Sequence, residues 1–276
     1  MVDLKFSVSM CVYGGDNAEH FKTAVESILN QTCPPDEVVI VVDGPVPEEL
    51  GAVIEGYERN DVFRIMRFEH NRGHGHARRA GLEVCRNELV ALMDADDISV
   101  PDRFEKQLNA FAADPDVTLV GGQIAEFIND PSNVGFYRIV PESDYEIKEY
   151  MKKRCPVNQP SVMFKKSHIE NAGGYIDWHC DEDYYLWIRL AQHGYKFINI
   201  PDVLVYMRTT ESSYQRRGGM KYFRSEAKLQ KYMLNNKVIG FGTYAVNVSK
   251  RFIVQVLMPN KIRGWAFKKF ARKSVK

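Results

Sequence analysis

From residue 6 to residue 12 the chain alternates, with Phe6, Val8, Met10 and Val12 apolar and Ser7, Ser9 and Cys11 between them. A period of two predicts a strand. Gly14-Gly15-Asp16-Asn17 then supplies a turn and a helix N-cap, and Phe21, Ala24, Val25, Ile28 and Leu29 repeat at helical spacing until Pro34-Pro35. Residues 38–42 are an unbroken apolar run ending at Asp43-Gly44-Pro45, the pattern of a parallel strand covered on both faces. The same alternation predicts a helix around 47–60, a strand around 62–68, and a loop at 71–76 that opens a helix through Ala77, Ala80, Leu82 and Val84. A strand over 88–93 ends in Asp94-Ala95-Asp96-Asp97, and a helix follows Pro101-Asp102.

Strand and helix in turn predict an α/β fold with a mostly parallel sheet. Beyond about residue 115 the pattern loosens. Strands are expected over 117–127, 161–165, 196–200 and 203–207, and helices over 144–153 and 183–193. From Gly219 the chain reads mostly helical.

Composition narrows the class. The 276 residues are 45% hydrophobic and 26% charged, which excludes disordered and collagen-like chains and allows one large domain or two small ones. A core of that size needs no staples. The five cysteines are scattered and form no C-x-x-C pair, so neither a zinc ribbon nor a disulfide framework is indicated and a reducing compartment is expected. No secretory signal and no apolar run of roughly 20 residues is read in the chain.

Charge is distributed unevenly. Residues 227–276 hold 12 Lys or Arg and no Asp or Glu, whereas residues 1–226 hold 25 basic and 36 acidic residues. A basic tail on an acidic body suits an anionic surface, either membrane or nucleic acid; a solvated helix face is the plain alternative. Ile262, Trp265, Ala266 and Phe270 can share one helix face, with Arg263, Lys268, Lys269, Arg272 and Lys273 around it. A basic amphipathic helix of that kind reads as a membrane-surface element. The tail has no recognised nucleic-acid reader motif, so no nucleic-acid partner is expected.

Ligands of open parallel sheets bind beyond the carboxyl ends of the strands. Three expected strands end there in Tyr13-Gly14, Asp43-Gly44 and Asp94-Ala95-Asp96. Two carboxylates spaced as Asp94 and Asp96 can hold Mg2+ or Mn2+ together with phosphate oxygens; alternatively Asp96 and Asp97 start the next helix. The loop at 71–76 leads to a helix N-terminus suited to an anion, with Arg78 and Arg79 close by. Asp181-Glu182-Asp183 offers either a general base or helix capping.

Together these residues resemble the family-2 glycosyltransferases with the GT-A fold. The matching stretches are Ser7 to Tyr13; Ser27 to Thr32; Asp36 to Gly44; Asn71, Gly73, Ala77 and Arg78; Met93 to Ile98; Cys155 to Phe164; and Glu182-Asp183 before Leu186-Trp187. Val42-Asp43-Gly44-Pro45-Val46 is similar to a subgroup that includes amylovoran-type exopolysaccharide and O-antigen enzymes. Val42 stands where many members have Asp, Gln159 where many have His, and Thr210 where many have a His that assists the metal.

The resemblance implies a Rossmann-like GT-A sheet with helices on both faces and a C-terminal helical basic extension. It divides the chain into a nucleotide-sugar half (1–115), an acceptor half with the base (116–218) and a tail (219–276) that associates with membrane. It implies that Cys11, Tyr13, Asp43, Arg78, Asp94 and Ala95 bind the nucleotide sugar, with UDP the expected nucleotide and GDP and dTDP its alternatives, and that Asp96 with Asp94 binds Mn2+ or Mg2+. Gln159 and Glu182 lie on the acceptor side and Asp183 is the base. The implied reaction is an inverting transfer to a glycan or polyprenyl-linked acceptor in bacterial surface polysaccharide synthesis, at the cytoplasmic face of the inner membrane. A non-catalytic nucleotide-sugar-binding or scaffolding module is the alternative. A nucleotidyltransferase would open on a Gly-rich loop with a nearby Lys, which 13–17 lacks.

Overall fold

The computed structural model describes residues 4–210, 218–259, 262–263 and 272–274. Strand β1 (Phe6–Tyr13) runs parallel between β2 (Glu37–Asp43) and β4 (Leu89–Asp94), and β3 (Phe63–Arg67) lies parallel outside β2. Helices α1 (Ala18–Leu29), α2 (Glu48–Tyr57) and α3 (His74–Val84) connect them, followed by β5 (Ile98–Ser99) and α4 (Arg103–Ala113).

The second half comprises β6 (Val117–Phe127), β7 (Phe136–Arg138), α5 (Asp144–Met151), a 3-10 turn (Gln159–Ser161), β8 (Met163–Lys165), α6 (Lys166–Asn171), α7 (Glu182–Gln192) and β9 (Lys196–Arg208). Helices α8 (Met220–Asn235) and α9 (Phe241–Phe252), a π turn (Ile253–Leu257) and β10 (Lys273–Ser274) complete the described chain.

The sheet reads β3-β2-β1-β4-β8-β6-β7-β10, with β9 parallel to β6 and β5 antiparallel to β9. Strand β8 is antiparallel to both β4 and β6 and so joins the two halves. Every residue of β2 is buried, as its unbroken apolar run requires. Alternate side chains divide it between two cores. Val39 and Val41 pack with Ala77, Leu82 and Leu92, whereas Val38, Ile40 and Val42 pack with Phe21, Ala24 and Ile28. This is the mostly parallel GT-A-like sheet with a C-terminal helical extension that the resemblance implies.

Several details differ from the sequence expectation. Residues 196–208 form one strand, not two: the register with β6 slips at Gly122–Gln123, and Pro201 and Asp202 take no part in the pairing. A bulge accommodates a proline that has no N–H to give. The strand expected from 161 begins at Met163, because the Ser161 hydroxyl donates to Asn158 O (2.7 Å) and closes a turn. Helix α3 starts at His74, with Ala77 N–H donating to Gly73 O (3.1 Å), ahead of its apolar repeat.

Most of the tail helix expected over 262–273, including Trp265, Lys268, Lys269 and Phe270, lies outside the described residues. Two of its cations are corrected by their burial. Arg263 donates to Val254 O (3.0 Å) and Met258 O (2.9 Å), and Arg272 to Glu126 Oε1 (2.6 Å). Neither belongs to an outward basic face. Among the described residues no helix is long and apolar enough to cross a membrane.

Candidate functional site

Parallel register gathers the strand ends. Tyr13 pairs with Asp43 across β1 and β2, and Cys11 with Asp94 across β1 and β4. Neighbouring strands sit roughly 5 Å apart, so one crevice receives all three. The Asp43 carboxylate accepts backbone N–H bonds from Arg72 (2.7 Å) and Gly73 (3.0 Å), and Asn71 Nδ2 donates to its carbonyl (3.2 Å). Asp43 therefore holds the 71–73 loop over the crevice. Gly44 makes that approach possible: its φ is +89° and a Cβ there would stand 2.6 Å from Asn71 N. Tyr13 leaves its ring exposed at the mouth, and its N–H donates to Asp16 (2.9 Å). Cys11 lies deeper, where burial pushes its thiol up to about 11.

Arg78, only 1% exposed, is aimed at Asp94, and its Nη2 donates to Asp94 Oδ1. Its Nε donates to His74 Nε2 (3.1 Å), one turn back on α3. Arginine only donates, so His74 Nε2 accepts and the ring hydrogen is on Nδ1. Nδ1 then donates to Glu182 Oε1 (2.9 Å), at the start of α7. A continuous chain thus links Glu182, His74, Arg78 and Asp94. Burial pushes Glu182 up, but the His74 bond, then Arg78, outweigh it and hold the carboxyl below its ordinary value. Burial likewise opposes the Arg78 charge, and Asp94 more than restores it.

The acids after β4 do not start a helix. Ile98–Ser99 forms β5 directly, while Asp97 is buried and accepts Arg208 N–H (2.8 Å). Arg208 Nε donates to Asp96 O (3.1 Å), so the end of β9 closes this turn. Ala95 is buried within it. Burial, then Asp94 and Asp16, push the Asp96 carboxyl up to about 6; burial does the same to Asp16. Beneath them lies Arg103, fully buried and lowered to about 9 by that burial, with Nη2 donating to Leu92 O (2.8 Å).

Among the described residues no three His, Cys, Asp or Glu side chains are grouped to hold a metal by themselves. Asp94 and Asp96 nevertheless fit a hard divalent cation that completes its shell with phosphate oxygens. Beyond burial, the repulsion from Asp94 and Asp16 that adds to the rise of Asp96 is a charge excess such an ion relieves.

Across the crevice, Asp181 stands at the N-cap position of α7 but makes no side-chain cap bond, so the capping reading of this acidic run is not realised there. Asp183 Oδ1 accepts the Tyr184 N–H (2.6 Å). Burial, then Glu182, push Asp183 up to about 6, with the Tyr184 N–H and Arg138 acting against them. Burial, then Asp183, raise Cys155 to about 12. Gln159, on the 3-10 turn, lies beside the buried Tyr175, whose phenol burial pushes up and Arg78 pulls down. Gln159 and Tyr175 face each other here, and Arg78 Nη1 beside them is buried without a hydrogen-bond partner among the described residues.

Register and hydrogen bonds thus gather Cys11, Tyr13, Asp43, Arg78, Asp94, Ala95 and Asp96 at the strand ends and join them through His74 to Glu182, next to Asp183, with Gln159 beside Tyr175. Thr210 ends the described stretch after β9, three residues beyond Met207. His74, Tyr175, Asp16 and Arg208 were not legible as site residues. Only the run of Gly and His at 73–76 signalled His74, and nothing in the sequence pairs it with a residue 108 positions away.

A family model described as glycosyl transferase family 2 matches residues 7–170, and one described as glycosyl transferase family group 2 matches residues 89–271. The chain is 37% identical over 269 residues to a UDP-Gal:alpha-D-GlcNAc-diphosphoundecaprenol beta-1,3-galactosyltransferase of Escherichia coli, covering 98% of this chain and 97% of the relative. It is 34% identical over 267 residues to the amylovoran biosynthesis glycosyltransferase AmsE of Erwinia amylovora, covering 96% and 98%. The fold matches the mannosyltransferase PcManGT from Pyrobaculum calidifontis, solved with GDP-Man and Mn2+, at a TM-score of 0.61 and 18% identity, covering 98% of this chain and 76% of that one.

Proposed function

The chain belongs to glycosyl transferase family 2 and is a nucleotide-sugar-dependent glycosyltransferase, and on that premise we propose an inverting transfer with Asp183 as its base. The observation that carries this reading is the hydrogen-bonded chain Glu182–His74–Arg78–Asp94. In this reading it ties the residues that meet the donor to those that meet the acceptor.

Residues 1–115 bind the nucleotide sugar in this reading. Tyr13 borders the base, and Asp43 acts on it both directly and through the 71–73 loop that it holds. Arg78 and Asp94 receive the ribose, diphosphate and sugar. Asp94 and Asp96 would hold Mn2+ or Mg2+, which supplies positive charge for the departing diphosphate. Cys11 and Ala95 shape the floor.

Residues 116–218 present the acceptor, with Gln159 and Glu182 orienting it. Its hydroxyl gives its proton to Asp183 as the oxygen attacks the anomeric carbon. The bond from that carbon to the diphosphate oxygen breaks on the opposite face. The electron pair leaves with the nucleoside diphosphate, beside the Arg78 guanidinium. One displacement inverts the carbon, and no second carboxylate nucleophile is needed.

The named activity of the E. coli relative supports UDP as the nucleotide and a lipid-diphosphate-linked glycan as the acceptor, and that of AmsE supports a role in bacterial surface polysaccharide synthesis. The Mn2+ held with GDP-Man in PcManGT supports Mn2+ as the ion. We place the enzyme on the cytoplasmic face of the inner membrane, where such acceptors would be met. The test is sugar transfer from a UDP-hexose to a lipid-diphosphate acceptor. Asp183→Asn is expected to lower transfer about 10³-fold and keep donor binding; a variant that transfers within about tenfold of wild type, or a wild-type chain that binds donor and never transfers, contradicts the reading.

A further inference from the structure

Helix α9 is inside out. Its polar residues Asn247, Arg251 and the following Gln255 are spaced by four and face the body. Asn247 Nδ2 donates to Lys152 O (2.9 Å) and Gln230 Oε1 (2.8 Å). Arg251 pairs with Glu226 (2.7 Å) and donates to Lys153 O (3.0 Å), and Gln255 Nε2 donates to Glu226 Oε2 (2.6 Å). Another stripe is apolar apart from Lys250 and faces water: Val246 is 51% exposed, Ile253 51% and Leu257 61%. Val246, Lys250, Ile253 and Leu257 recur at intervals of four, three and four, which puts them on one stripe. A globular helix ordinarily turns its apolar stripe inward. Here the inward stripe is satisfied by hydrogen bonds and ion pairs, and among the described residues the apolar stripe keeps half or more of its surface open.

We propose that this outward stripe of α9 and the π turn is a contact for an anionic lipid surface. The charges of the two C-terminal helices select that occupant. Residues 218–263 contain one acid, Glu226, which is already engaged by Arg251 and Gln255. Lys221, Arg224, Lys228, Lys231, Lys237 and Lys250 are all at least partly exposed. Lys250 sits within the stripe itself, where its stem lies along apolar surface and its ammonium reaches lipid phosphate. A second copy of this chain is the poorer occupant. A two-fold contact on the stripe sets Lys250 near its own symmetry mate, and this helical unit offers no spare carboxylate to separate them. The contact lies apart from the crevice, so it can fail without touching the transferase reading. It also moves the membrane contact from the stretch around Arg263 and Arg272, which are buried, to an element whose exposure is seen.

The test is co-sedimentation of the full-length chain with vesicles of phosphatidylcholine alone or mixed with phosphatidylglycerol, at low and high salt. The wild type is expected to bind the anionic vesicles and to be released by salt. Ile253→Ser with Leu257→Ser is expected to lower the bound fraction at least about fivefold, a loss consistent with two side chains withdrawn from the interface. UDP binding and the circular dichroism spectrum should be unchanged. Ile253→Trp is expected to raise the bound fraction, a gain that misfolding does not produce. The proposal is overturned if the wild type ignores anionic vesicles. It is equally overturned if the double serine variant binds as well as wild type, which would assign binding to the basic tail beyond 263. A dimer in light scattering that the double serine variant dissolves would assign the stripe to a second copy.

Discussion

Asp183 carries the most specific claim about a single side chain. Burial pushes its carboxyl up to about 6, so it is an ionised base only above that pH. Transfer measured as kcat/KM for the acceptor is expected to rise through a midpoint near pH 6 and then level off, and Asp183→Asn to lower it by about 10³-fold, within the range for loss of a positioned base. The sign for stability is the reverse. The folded chain keeps a proton that the unfolded chain has released from about pH 4 upward, so this group lowers stability as pH rises from there to about 6. Urea titrations across that window should show the fall in wild type and a smaller one in Asp183→Asn. His74 is the second residue to change. His74→Ala removes the acceptor of Arg78 Nε and the donor to Glu182, and a loss of about tenfold in kcat/KM is expected, the size of one lost bond to a charged group. His74→Gln offers one acceptor and one donor again and should recover most of the activity. Full activity in His74→Ala would show that the bridge is incidental.

Among the elements, those that the sequence announces are the long ones. Strands β1, β2, β4 and β6 and helices α1, α4 and α7 carry enough turns or alternations for their period to be read, and residues 117–127 match β6 end to end. Elements of two or three residues, such as β5, β7 and β10, have no period at all, and their pairing comes from neighbours distant in sequence. Pro201 splits one strand into two in the sequence pattern because a bulge can be recognised only beside its partner strand. The candidate site follows the same division. Asp43, Asp94 and Asp96 are strand-end residues and were legible as such, whereas the His74 bridge depends on α3 meeting α7. Gly44 is the local device that the strand-end geometry depends on. Gly44→Ala forces a Cβ against Asn71 N at a positive φ, and a loss of about 1–3 kcal/mol is expected by denaturant titration. Nucleotide affinity should fall as well, because the 71–73 loop loses its seat on Asp43. Unchanged affinity in a folded Gly44→Ala chain would detach that loop from the donor.

On the scale of the whole molecule, the C-terminal extension is tied back to the sheet. Arg272 and Glu126 form an ion pair with both side chains buried, where β10 pairs with β7 beside β6. Arg272→Met removes a buried hydrogen bond between charged groups and is expected to cost about 1.5–3 kcal/mol of stability. A change of less than about 1 kcal/mol would mean that the tail does not brace the sheet. On the two proposals above, the acidic body and basic extension have separate tasks, the crevice for the donor and α9 for lipid. Donor binding in the crevice underlies every catalytic role assigned above, and calorimetric titration with UDP, GDP and dTDP, each with and without Mn2+, probes it without the acceptor. UDP alone of the three is expected to bind, in a Mn2+-dependent manner, and Asp96→Ala is expected to lose this binding while remaining folded. Binding of none of the three by the folded wild type, or equal binding by Asp96→Ala, would contradict the assignment of the crevice to a nucleotide sugar and its metal.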